Sequence, residues 1–80
     1  MQRINCINGS EAVMLLIIEP WAEEYLIKPG ASVDIVGQGG CFETGFEVEH
    51  VDKGMIVYGW EGSIVSVFSN GEIVEPGFQQ

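Results

Sequence analysis

Few side chains in this 80-residue chain could do chemistry, and their spacing limits what they could do. His50 is the single histidine, and Cys6 and Cys41 are the two thiols. Zinc and copper sites need several His or Cys ligands converging on one point. These three residues would form such a set only by coincidence of folding, so His50 reads as a core or edge histidine and no metal is expected. Ser10, Ser32, Ser63, Ser66 and Ser69 share that one histidine, and none sits in a Gly-x-Ser-x-Gly elbow. Gly37-Gln38-Gly39-Gly40 lacks the Lys-Ser/Thr of a phosphate-binding loop, and no helix opens after it, so it reads as a flexible connector. No cofactor is implied, and the chain is expected not to be an enzyme.

The carboxylates are more informative. Glu43, Glu47 and Glu49 fall at odd positions of an alternating stretch and form one acidic row. Paired carboxylates do acid–base work when their surroundings split their pKa values. A row facing water offers no such split, and a solvated face is the simpler reading. Glu23 and Glu24 lie beside Trp21, with Glu19 just before. Acids next to an aromatic in a turn suit a cationic group or a basic loop, although Trp21 could instead fold back over the apolar residues before it. The candidate binding residues are therefore Trp21, Glu23 and Glu24, with Glu43, Glu47 and Glu49 as a second acidic face. An alternative site is a ligand pocket lined by Phe46, Tyr58 and Trp60 inside a barrel.

Charge points the same way. Twelve acids against three Lys and Arg give a net charge of −9. Such a surface lacks the basic footprint that nucleic acid requires and disfavours anionic membranes. It would steer basic partners inward, and it also keeps an apolar chain soluble. The residues are 46% hydrophobic, with mean hydropathy +0.21. A domain of this length buries only roughly 60–65% of its surface on folding. Homo-oligomerisation, most simply a homodimer, is the expected outlet for the remaining apolar side chains.

What must position these groups is a set of short strands. Ala12 to Ile18 is wholly apolar and stops at Glu19-Pro20-Trp21. It is too short to span a bilayer, is flanked by Glu11 and Glu19, and precedes no small-x-small cleavage site. With two thiols far apart and no signal peptide, the protein is expected to be cytoplasmic with reduced cysteines; a Cys6–Cys41 disulfide stays open. Length and flanks make 11–19 a strand rather than a helix. It would be buried on both faces, Met14, Leu16 and Ile18 on one and Val13, Leu15 and Ile17 on the other, as a central strand or a dimer seam.

Asn8-Gly9 before it predicts a tight hairpin turn, and Pro20 to Tyr25 a single helical turn. Further strands are expected at 25–28 and 32–36. From Phe42 to His50 the even positions are Phe42, Thr44, Phe46, Val48 and His50, a face expected to be buried. Asp52-Lys53-Gly54 and Ser69-Asn70-Gly71 read as turns, with strands at 55–60, 64–68 and 72–75. The whole predicts one all-β domain over residues 1–80, with 76–80 a polar tail. It would be a small antiparallel β-sandwich or partly open barrel of six to eight short strands.

The segment Ile18-Glu19-Pro20-Trp21, followed by Glu24-Tyr25-Leu26-Ile27-Lys28-Pro29-Gly30, resembles short uncharacterised bacterial all-β proteins with a Glu-Pro-Trp…Pro-Gly pattern. It also has the rhythm of a small jelly-roll or cupin-like sheet. The resemblance covers about a fifth of the chain and implies only an all-β fold. Cupins and cupredoxins that hold metal use several histidines, so no metal site carries over. The expected function is a non-enzymatic binding or regulatory protein that engages a basic protein, an immunity-type inhibitor being one instance. The alternatives are a small-ligand-binding β-barrel and a purely structural assembly subunit.

Overall fold

The computed structural model describes residues 1–40 and 45–77. Eight strands run in order: β1 Gln2–Ile7, β2 Met14–Glu19, β3 Glu23–Ile27, β4 Ser32–Gly39, β5 Glu47–Val51, β6 Gly54–Tyr58, β7 Ser63–Ser69 and β8 Glu72–Val74. They form two four-stranded sheets, ordered β1-β4-β7-β8 and β3-β2-β6-β5. The sheets do not close into a barrel, and the fold is a small all-β sandwich. Every pairing is antiparallel except β2 with β6, which is parallel.

The core lies between the layers. Leu16, Ile18, Tyr25, Ile27 and Val57 from the second sheet meet Cys6, Val33, Ile35 and Val67 from the first. Period-two alternation decides who faces inward. Within one chain it rules out a central strand covered on both faces, and a seam with a second copy stays as the other expected reading. Leu16 and Ile18 are fully buried, whereas Leu15 and Ile17 are only half-buried and Val13 is exposed. Among the described residues no third layer covers the odd-numbered side of β2, so one face is core and the other looks outward.

Asn8-Gly9 is not a hairpin turn. β1 pairs with β4, and the chain crosses from one sheet to the other after Ile7. Asn8 is 1% exposed, and its amide holds the crossing together. Nδ2 donates to the carbonyls of Ala12 and Ile27, both at 2.8 Å, while Oδ1 accepts from the Ser10 N–H at 3.0 Å and its hydroxyl at 2.7 Å. The Asn8 backbone also bonds on both sides, N–H to Ala31 at 2.9 Å and C=O from Gly30 at 2.7 Å. A buried amide with its donors and acceptor engaged stabilises the crossing instead of opposing burial.

The helical turn expected after Pro20 is also replaced. Pro20, Trp21 and Ala22 make a tight turn in which the Glu19 carboxylate accepts the Ala22 N–H at 2.9 Å, and β3 begins at Glu23. Gly37-Gln38-Gly39 is not a flexible connector but the end of β4, paired with β7. A side chain at Gly37 would strike the rings of Phe46 and Trp60, at 2.7 Å from each. Gly37 is thus the bare floor on which two aromatic rings rest. Gly54 answers a similar need, since any Cβ there would collide with the Leu15 backbone. Its absence lets β2 and β6 lie side by side. The Asn70-Gly71 hairpin turn is as expected, with φ of 53° and 82° as a type I′ turn requires.

Candidate functional site

The outward face of the second sheet assembles most of the candidate residues. Three ranks cross it, as the strand registers fix them. Leu26, Leu15, Gly54 and Val51 form the first. Glu24, Ile17, Ile56 and Glu49 form the second, and Glu19, Tyr58 and Glu47 the third. Leu15, Ile17, Leu26 and Ile56 are half-buried and continuous, while Glu24, Glu47 and Glu49 are exposed. An apolar centre is therefore rimmed by four carboxylates, from β3, β5 and the end of β2.

Tyr58 registers this convergence. Its hydroxyl donates to Glu49 Oε1 at 2.7 Å. That hydrogen bond, with the negative charges of Glu49, Glu19 and Glu47, raises the phenol above its ordinary pKa. The lysines stand away from the carboxylate ranks. Lys28 follows β3, and Lys53 lies in the β5–β6 turn. At that end an open groove of about 930 Å³ is lined by Val13, Leu26, His50, Val51 and Lys53, among others.

The expected site residues divide accordingly. Glu24, Glu47 and Glu49 share the face. Glu23 does not join Glu24, because neighbours on a strand point to opposite sides. It lies opposite Ile18 on the inner side and accepts a long hydrogen bond from Tyr25 at 3.4 Å. Burial and the Glu23 carboxylate push the Tyr25 phenol up to about 12. Trp21 is 43% exposed in its turn, with its ring 3.5 Å from where a side chain on Gly59 would begin. It covers the end of the sandwich beyond Glu19, whose carbonyl accepts the Gly59 N–H at 3.0 Å. Glu43 lies outside the described residues, as do Cys41, Phe42 and Thr44.

Phe46, Tyr58 and Trp60 do not line one pocket. Phe46 and Trp60 meet edge to face, their centroids 5.2 Å apart. Trp60 is 6% exposed, and its indole N–H donates to the Gly39 carbonyl at 2.8 Å. Together they plug the sandwich over Gly37. Tyr58, two residues earlier, belongs to the outward face, because the chain leaves β6 after it and turns Trp60 inward.

The stretch expected to bury Phe46, Val48 and His50 also differs. β5 starts at Glu47, and Val48 is 44% exposed. His50, opposite Met55, is an exposed edge residue. Cys6 is a free buried thiol 3.3 Å from the Met55 sulfur, and burial raises its pKa.

The outward face of the first sheet has a different balance. It also carries apolar groups, including Phe68 beside Ile73, but its charges pair. Arg3 meets Asp34 at 3.1 Å, and the Asn5 amide donates to the same carboxylate at 2.9 Å. These contacts hold the Asp34 carboxyl below its usual range, the Asn5 bond first and Arg3 next.

Among the described residues, no group of three or more His, Cys, Asp or Glu could hold a metal ion, and no helix is long and apolar enough to cross a membrane. Comparison with protein-family models, curated proteins and solved structures returned no match.

Sequence reasoning puts Leu15 and Ile17 on a candidate dimer seam and Tyr58 in an interior pocket, and it leaves Leu26 and Ile56 unassigned. Alternation within 14–19 and 54–58 was the available signal. What it lacked was the parallel pairing that sets the two segments side by side.

Proposed function

We propose that the chain is a non-enzymatic binding protein that engages a basic protein partner through the outward face of its second sheet. One observation carries this reading: the apolar centre of Leu15, Ile17, Leu26 and Ile56 is rimmed by Glu19, Glu24, Glu47 and Glu49. Apolar anchors give such a face its affinity, and a rim of one charge sign selects the partner and speeds its approach. The same rim opposes stacking of a second copy on this face. An inhibitor of a basic toxin is one protein of this kind. The free, buried Cys6 is in keeping with a cytoplasmic setting.

The test is native co-purification at low and at high salt, with the wild type beside Glu24→Lys, Glu47→Lys and Ile17→Lys. A basic protein should be retained at low salt, weakened by salt, and lost with each substitution. A catch that ignores all three substitutions, or none at low salt, removes the proposal.

A further inference from the structure

β5 is the free edge of the second sheet. It pairs with β6 on one side, and among the described residues no strand pairs with it on the other. All five of its residues are exposed. In an antiparallel ladder every second residue turns its N–H and C=O toward the free edge, so β5 offers a row of unsatisfied main-chain groups.

The other edges are less available. The outer edge of β3 is met by the C-terminal segment, where the Gly77 N–H donates to the Glu24 carbonyl at 2.6 Å. β8 has three residues. β1, the corresponding edge of the first sheet, carries Arg3 and pairs it with Asp34.

Charge decides what could add to β5. Its sequence is Glu-Val-Glu-His-Val, with Glu47 and Glu49 on the outward side beside Tyr58 and Ile56. Like charges directly opposite one another destabilise a strand pair, whereas opposite charges stabilise it. A chain of net charge −9 therefore has a poor partner in itself at this edge. We infer that β5 takes up an extended basic segment of the partner as a further antiparallel strand, with alternate Lys or Arg side chains beside Glu47 and Glu49 and alternate apolar ones beside Val48. Main-chain bonds would supply affinity and the alternating side chains specificity. This rests on the reading of the outward face as the partner's site and states how the partner is held.

The probe is a short alternating Lys-Val peptide blocked at both ends. Its control is the same peptide N-methylated at every backbone amide, which keeps the charges but leaves no N–H to pair along an edge. Binding would be followed by amide hydrogen exchange and by backbone and methyl NMR shifts at low salt. The expected result is slowed exchange at alternate β5 amides. Affinity should fall roughly tenfold or more both for the methylated peptide and for a Glu47→Lys, Glu49→Lys double variant. Equal binding by the methylated peptide, with shifts at Leu15, Ile17 and Ile56 and unprotected β5 amides, rejects strand addition and keeps the face. Absence of any shift rejects both.

Discussion

At the scale of single residues, the most consequential polar group is the Asn8 amide. It is fully buried and joins Ala12, Ile27 and Ser10 across the crossing between sheets. Asn8→Ala removes the donor to the buried Ile27 carbonyl and one of two donors to the Ala12 carbonyl, and an unsatisfied buried group costs about 1–3 kcal/mol. Urea denaturation should show a loss of about 2–4 kcal/mol, with Asn8→Asp also destabilised because a carboxylate cannot donate to those carbonyls. Tyr25 makes a pH prediction. Its phenol is pushed from 10 to about 12 in the folded chain, by burial and then by Glu23. Unfolded chains then lose this proton first as pH rises, so the contribution is complete below about pH 10 and is lost between about 10 and 12. Stability measured across that window should fall more gently in Tyr25→Phe.

At the scale of elements, the parallel seam between β2 and β6 depends on the missing side chain of Gly54. Gly54→Ala drives a methyl into the Leu15 backbone. It should abolish cooperative unfolding or cost upwards of about 3 kcal/mol. Gly9→Ala, which meets nothing within 4 Å, should stay within about 0.5 kcal/mol of wild type in the same denaturation series.

That contrast marks where sequence reasoning reaches. Tyr58, expected inside with Phe46 and Trp60, faces outward. Alternation over Glu47 to Val51, by contrast, places Glu47 and Glu49 correctly by face, because side-chain period is a local property of any strand. Asn70-Gly71 is legible for the same reason, its turn being set by two adjacent φ values. Asn8-Gly9 carries the same dipeptide and behaves otherwise, because its amide is engaged by Ile27 from a different sheet. Gly37 looks like linker until Phe46 and Trp60 arrive above it. The candidate face had its acids and Leu15 and Ile17 in view but not their union with Ile56, since β2 and β6 are brought together only by a non-local parallel pairing.

At the scale of the whole molecule, charge is unevenly spent. The first sheet's outward face balances Arg3 with Asp34, while the second gathers four carboxylates around its apolar centre. Association through the second sheet should therefore weaken as ionic strength shortens the screening length. The change should fall mainly on the association rate, measurable by stopped-flow or surface-binding kinetics over a salt series.

The order of strands in the two sheets has a consequence for the chain as a polymer. Strands β1 to β4 supply two neighbours to each sheet, and β5 to β8 supply the other two. The halves meet along one plane that passes through both layers, β4 against β7 and β2 against β6. Both halves contribute to the one core, Val57 and Val67 coming from the second, and each offers the other two complementary edges. The protein is thus built as a natural split pair. A chain cut between Gly39 and Glu47 should give two unfolded fragments that regain native circular dichroism only when mixed. Their reassembly could report the proximity of any two proteins to which they are fused.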